Sequence, residues 1–308
     1  GSHALQNLYP VLQYLGIRLK YICCKSPDKL ALIERRFGVN ATTSLDTILN
    51  DSEVKGIFVC TSPQSHYEIC SRVIASGKYL FVEKPPCQTL EQLEYLIAAD
   101  KQQVAMVGMQ KRYSPIIWTL KKQLAKSKPI NYTLSYHTGL YPEGNPLTDL
   151  FIHPVDLVLY LFGNAELKSV QQIDRNGTMT IQGLISHGTA KGYIELSTAY
   201  SWTNPKETLY VNTQAGEYRL EQMERLCYYP HPKRIAGIPL EKLGLFTNAE
   251  QTLIERNNFN PLAANNQLYT QGFLSEIRAF ADMVELSGEN RSPLSSMDAT
   301  YKLLLPLK

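Results

Sequence analysis

No two cysteines in this 308-residue chain stand in a C-x-x-C arrangement, and no group of His, Cys and Asp has the spacing of metal ligands. A redox dithiol and a bound metal are therefore not expected. The six cysteines, at 23, 24, 60, 70, 87 and 227, read as small core hydrophobes in a reducing compartment. Long apolar runs are missing too. None reaches the roughly 18 residues of a membrane span, and no secretory pattern opens the chain, so a cytoplasmic protein with no membrane partner is expected. Neither sign of charge dominates. Lys plus Arg number 31 against 28 for Asp plus Glu, with no basic block, which argues against nucleic acid as a partner. Internal repeats and low-complexity tracts are also absent. Hydrophobic residues at 44% and charged residues at 19% leave a globular composition, long enough for two domains.

The two halves are patterned differently. Up to about residue 118, short apolar runs alternate with helical stretches. Strands are expected at 19–24, 56–60, 79–82 and 104–108, and helices at 28–37, 44–49, 65–75 and 89–101, with Ser26 capping the first of these helices and Gly38 ending it. Strand–helix alternation with short links predicts right-handed crossovers and a parallel sheet with helices on both faces. Beyond residue 118 the period becomes two: Ile130, Tyr132, Leu134 and Tyr136 share one face, and similar alternation recurs at 178–185, 192–197, 208–212 and 217–220. Helices are expected at 150–161 and 271–286, the latter with an apolar stripe through Phe273, Ile277, Phe280, Met283 and Val284. Residues 229–265, rich in Pro and Asn, read as a long loop serving as a lid or subunit contact. The expected architecture is a Rossmann-type α/β domain over 1–118 followed by an α+β domain with an open-faced, mostly antiparallel sheet over 119–308. The exposed, Tyr-rich sheet face calls for cover by a symmetric partner, in a homodimer or homotetramer.

The chain opens Gly1-Ser2-His3-Ala4 ahead of the helical run 5–15. Gly1 and Ala4 fit the last two positions of a G-x-G-x-x-G/A dinucleotide fingerprint, where backbone N–H groups approach a pyrophosphate at a helix N-terminus. The strand and first glycine that precede such a motif are not among the 308 residues, so an N-terminally incomplete dinucleotide domain is expected. Gly-Ser-His is also the scar that tag removal leaves, and both origins stay open. Cys24 lies 23 positions after Gly1, near the place where a carboxylate would hold an NAD ribose. The strand instead ends Cys24-Lys25-Ser26, which suits the 2′-phosphate of NADP; as a bland alternative, Lys25 is solvated and Ser26 only a cap.

Two loops follow the carboxyl ends of expected parallel strands, where open α/β sheets bind ligands: Thr61-Ser62-Pro63-Gln64-Ser65-His66, and Glu83-Lys84-Pro85. An ammonium at Lys84 would hold a substrate oxygen and stabilise developing negative charge there. Asp149 and His153 are i and i+4, so they share a helix face. His153 suits a general base, with Asp149 orienting it or contacting substrate. Asp156, three residues further, is a second candidate for fixing the His153 tautomer. Alone, Asp149 is equally an N-cap, since Pro154 places the helix start close by.

In combination the chain resembles the glucose–fructose oxidoreductase / inositol dehydrogenase / MocA family. The resemblance rests on GSHA at 1–4, TSPQSHYEI at 61–69, GKYLFVEKP at 77–85, VGMQKRYSP at 107–115, DLFIHPVD at 149–156 and GFLSEIRAF at 272–280, in the family's order and over almost the whole chain. It implies NAD or NADP as hydride carrier and a sugar-like substrate. It also implies Lys84, Asp149 and His153 as catalytic residues, with Thr61, Ser62, Pro63, His66, Glu83 and Arg112 lining the cofactor cleft. The chain departs from the family at Cys24, where an acidic residue is usual, and at Asn145-Pro146-Leu147, where a Gly pair often stands. A non-catalytic paralogue, kept as a binding or assembly module, is the alternative that the retention of Lys84, Asp149 and His153 together speaks against.

Overall fold

The structure is a computed structural model. It describes residues 3–188, 190–244, 249–257, 259, 262 and 265–307. The chain divides into two compact units, Gly1–Met109 with Phe273–Asp298, and Gln110–Gly272 with Ala299–Lys308.

The first unit is strand–helix alternation. A π-turn at Ala4–Leu8 leads into α1 (Tyr9–Tyr14). There follow β1 (Tyr21–Cys23), α2 (Leu30–Phe37), β2 (Asn40–Thr42), α3 (Leu45–Leu49), β3 (Gly56–Val59), α4 (His66–Ala75), β4 (Tyr79–Val82), α5 (Leu90–Ala99) and β5 (Ala105–Val107). The caps explain several boundaries. Ser44 Oγ accepts from Thr47 N and Thr89 Oγ1 from Gln92 N, each satisfying an orphan helix donor. Gly38 closes α2 at φ 64°, where a Cβ would be strained. Ser26 sits at the expected cap position but makes no side-chain cap bond, and Pro27–Lys29 form a 3-10 turn ahead of α2.

All strand pairs of this unit are parallel, as the alternation predicts. They form two sheets, β1–β2 and β3–β4–β5, where one was expected. Leu80, Phe81 and Val82 of β4 and Ala105, Met106 and Val107 of β5 are fully buried, which is why these runs are apolar without alternation. The late helix, α9 (Phe273–Leu286), packs on these parallel strands: Phe280 meets Phe58 at 4.9 Å and Phe81 at 5.7 Å between ring centroids. Of its expected stripe, Phe273, Ile277, Phe280 and Met283 are buried and Val284 is half-buried.

The second unit carries α6 (Pro115–Lys126), α7 (Ile152–Phe162), α8 (Gln267–Thr270), α10 (Met297–Leu304) and an eight-stranded sheet. Its strands are β6 (Pro129–His137), β7 (Glu166–Arg175), β8 (Thr178–His187), β9 (Ala190–Ser197), β10 (Lys206–Thr213), β11 (Gly216–Glu221), β12 (Arg225–Pro230) and β15 (Gln251–Glu255), with a small hairpin, β13 (Arg234–Ile235) and β14 (Ile238–Pro239), outside it. The order is β15-β12-β11-β10-β6-β9-β8-β7, antiparallel throughout except for the β6–β9 pair. Tyr132, Leu134, Ile194, Leu196, Leu209, Val211, Tyr218 and Leu220 fill the inner face, while Leu184 and Tyr210 stay exposed on the other. The stretch 229–265 is not simply a loop: it holds the end of β12, the β13–β14 hairpin and the edge strand β15.

Candidate functional site

The first unit supplies two loops at the carboxyl ends of β3 and β4. After β3, Thr61 and Ser62 are exposed and Pro63 half-buried. Ser62 Oγ and Ser65 Oγ lie 3.1 Å apart at the start of a 3-10 turn that runs into α4. His66 is buried and joins this loop to the next: Nδ1 donates to Pro85 O at 2.7 Å and Nε2 lies 3.1 Å from Thr61 O. The ring therefore acts as a strut between the two loops, and its burial leaves little of it for a cofactor to touch. Lys84 is half-buried directly after β4, in a cis peptide with Pro85. Glu83 is 8% exposed, with Oε1 3.2 Å from His3 Nε2. A Cβ at Gly108 would meet the Glu83 carboxylate at 3.4 Å, so the glycine makes room for it at the end of β5. At the end of β1, Cys24 Sγ lies 3.4 Å from Ser26 O, and Lys25 is exposed. Ala4 is half-buried in the opening turn, while Gly1 and Ser2 lie outside the described residues. Burial, with the charge of Glu83 second, pushes the Cys60 thiol at the end of β3 upward, so it is no thiolate nucleophile.

These residues fit a dinucleotide. The Thr61 and Ser62 hydroxyls and the Lys25 ammonium are solvent-facing polar groups at strand carboxyl ends. Among the described residues no group of His, Cys, Asp and Glu is arranged to hold a metal ion, and no helix is long and apolar enough to cross a membrane.

The second unit supplies Asp149 and His153. Asn145 Oδ1 accepts from Leu147 N at 3.0 Å, an Asx turn that starts the helical segment. A π-turn, Leu147–Phe151, follows and passes into α7. Wide turns of this kind are frequent at functional sites. Pro154 is the third residue of α7 but lies inside the continuous helical segment that opens at Leu147, so it does not mark the start of that segment. Asp149 is thus inside the segment and is not its N-cap. Its carboxylate folds back over the preceding loop: Oδ2 accepts from Asn145 N at 3.1 Å and from Tyr141 Oη at 3.4 Å, and Oδ1 from Thr148 Oγ1 at 3.2 Å. A Cβ at Gly144 would come within 2.1 Å of Oδ2, so this cradle requires glycine there. Burial first, then the Asp149 charge, pushes the Tyr141 phenol up, keeping it a donor. The sequence reading passed over Tyr141 and Gly144 and took Asn145 only as a departure from the family pattern, although Pro142-Glu143-Gly144-Asn145-Pro146 carries strong turn chemistry.

Two expectations change here. Arg112, expected in the cofactor cleft, is 4% exposed and gives its guanidinium to Asp156, Nε to Oδ2 at 2.8 Å and Nη2 to Oδ1 at 2.5 Å. Asp156, a candidate partner for the His153 ring, is committed to Arg112 and to Thr300, whose Oγ1 donates to Oδ1 at 3.0 Å. Neither residue was expected to pair with the other, because 44 positions separate them.

Comparison with known proteins agrees with this frame. Residues 3–111 match the model of the GFO_IDH_MocA oxidoreductase family, described as an NAD-binding Rossmann fold. The uncharacterized oxidoreductase YhhX of Escherichia coli K12 is 26% identical over 60% of this chain and 59% of its own length. The inositol 2-dehydrogenase of Paracoccus denitrificans is 32% identical over 37% of each chain, so this chain spans less than two thirds of both relatives. Among solved structures, a dehydrogenase from Chromobacterium violaceum superposes with a TM-score of 0.84 over 100% of this chain and 92% of its own, at 17% identity, which speaks for the fold alone. Over residues 3–111 the chain thus matches the GFO_IDH_MocA oxidoreductase family and its NAD-binding Rossmann fold, a domain that takes a nicotinamide dinucleotide.

Proposed function

We propose that this chain transfers a hydride between NAD or NADP and a hydroxyl-bearing or keto carbon of a sugar, polyol or sugar derivative. The observation that carries the reading is the Asp149–His153 pair: two chemically apt side chains one turn apart on a single helical segment, with Asp149 held by Tyr141 and by the Asn145 backbone. The inositol 2-dehydrogenase likeness supports a polyol-type substrate.

In oxidation His153 takes the proton of the substrate hydroxyl, and Lys84 steadies the oxygen as negative charge develops on it. Asp149 contacts substrate or fixes the imidazole. The bound dinucleotide supplies the hydride-accepting ring. Reduction of a ketone runs the same proton path backwards, with His153 as acid. Thr61, Ser62, Pro63, Lys25, Ser26 and the segment from Gly1 to Ala4 hold the cofactor. Convergence of Lys84 with His153 and Asp149 belongs to the proposal. So do a cytoplasmic location and a homodimer or homotetramer built on the outer sheet face, where Leu184 is 51% and Tyr210 38% exposed.

The test is turnover on a panel of inositols, aldoses and ketoses with NAD and NADP, followed by nicotinamide absorbance. Lys84→Ala and His153→Ala each lower kcat by about 100-fold or more while the thermal midpoint is kept. Full activity in either variant would sink the catalytic assignment. Cofactor binding without turnover in the unaltered chain would favour the binding-module alternative.

A further inference from the structure

Asp156 has only 2% of its surface exposed, yet it is ionisable and lies in the middle of an apolar helix, α7. Its carboxylate is held from two other elements. Arg112, in the 3-10 turn Gln110–Tyr113, supplies two parallel N–H bonds, and Thr300, in α10, supplies a hydroxyl. One turn further along the same helix, Tyr160 is covered by the Arg112 guanidinium at 5.5 Å and by the Lys121 ammonium at 3.4 Å from the ring centroid. A buried ion pair is seldom a net gain over well-packed apolar residues, because desolvation offsets the attraction. What such a pair does deliver is register: a planar guanidinium fork meets a carboxylate in one orientation only, so it fixes both the rotation of α7 and its position along its own axis.

His153 stands three residues before Asp156, the next side chain along the same helix face. We infer that Arg112 is a positioning residue: through Asp156, and with Thr300 as the second anchor, it sets the direction in which α7 presents the His153 imidazole. Arg112 itself touches neither substrate nor cofactor in this role. The inference rests on His153 being the proton-transfer group, but the coupling it asserts, between Arg112 and the environment of His153, is measurable without any substrate.

The experiment uses the full chain labelled with 13C at histidine Cε1, followed by NMR through a pH titration. His153→Gln identifies the His153 resonance. Arg112→Lys keeps the charge and removes the fork; Thr300→Val removes one bond to Asp156 and keeps the shape. In both variants the His153 resonance shifts and its titration midpoint moves, more in Arg112→Lys, while the remaining histidines keep theirs. Where an active substrate is in hand, kcat falls by up to about 100-fold, the scale of a misplaced catalytic group, with the KM for the dinucleotide unchanged. If Arg112→Lys does not fold, Thr300→Val decides. A His153 resonance and midpoint identical to those of the unaltered chain in every folded variant would overturn the inference. Unaltered turnover in His153→Gln would instead overturn the catalytic reading and leave the coupling to be judged by NMR alone.

Discussion

Replacing Tyr132 by Phe removes a single oxygen from the middle of the large sheet. Tyr132 is 3% exposed, and its ring stacks on Phe162 at 4.3 Å between centroids with 7° between planes, a contact that Phe retains. The lost hydroxyl lies 2.7 Å from His187 Nε2. His187 Nδ1 faces the Gly163 carbonyl at 2.7 Å and must carry the proton there, so Nε2 is the acceptor and Tyr132 the donor. His187 is 7% exposed, and no solvent replaces the bond. The expected loss is that of an orphaned buried acceptor, about 1–3 kcal/mol. For a unit of this size that corresponds to roughly 2–12 °C in the midpoint of thermal unfolding.

Acid adds a signature that a simple packing defect lacks. Burial, only partly opposed by the bond to Gly163 O, holds the His187 pKa below its ordinary value. Below about pH 6.5 the unfolded chain takes up the proton first, so the stability this neutral ring contributes is complete above about pH 6.5 and falls as pH drops toward the folded pKa. Tyr132→Phe removes the donor that demands a free lone pair on Nε2, which makes protonation of the folded ring less unfavourable. The gap in thermal midpoint between the two proteins is therefore widest near about pH 8 and narrows toward about pH 5.5. Circular dichroism melts across that range measure it. A gap independent of pH, or a variant as stable as the parent near pH 8, would refute the assignment of Nε2 as acceptor.

Gly192→Ala builds a Cβ 2.1 Å from Tyr132 Cζ, against a ring already clamped by Phe162, and should cost about 1–3 kcal/mol by overpacking, read in urea melts. Gly272→Ala combines φ 100° with a Cβ 2.0 Å from Gln110 O, a backbone atom that cannot swing aside. Soluble expression and the thermal midpoint should fall further than for Gly192→Ala. Cys24→Asp places a carboxylate after β1 beside Lys25 and should shift affinity from NADP toward NAD. Calorimetry with both cofactors checks this, and an unaltered NADP-to-NAD ratio counts against that position being the ribose reader.

Much of the first unit was legible because its signals are local. Ser44 and Thr89 cap the helices they precede, Gly38 ends one, and the fully apolar runs at 79–82 and 105–107 are strands covered on both faces. In the second unit alternation marked β6, β8, β9, β10 and β11. Strand β7 was missed because one face of Glu166–Arg175 is as polar as the other, although Asn176-Gly177, with both residues at positive φ, is a strong hairpin signal directly after it. The edge strand β15 was missed for a related reason: an edge needs little apolar content, and Gln251–Glu255 has only Leu253 and Ile254 to offer.

For the site, the sequence by itself determined which chemistry is present. An ammonium after a buried strand, a carboxylate and an imidazole four residues apart, and hydroxyls after β3 are all covalent facts of the chain, and local periodicity suffices to put Asp149 and His153 on one helical segment. It did not determine which charged groups spend themselves on one another. Arg112 and Asp156, 44 positions apart, read in the sequence as a cofactor-cleft residue and a candidate partner for the His153 ring; folding buries both, and a buried charge must find its opposite. The same holds for His66, whose ring nitrogens are claimed by the carbonyls of Thr61 and Pro85, and for Asp149, whose cradle exists only because the loop at Gly144 turns back upon it. Pairing of this kind depends on distance through space and on the loss of water, and neither is written in the order of residues along the chain.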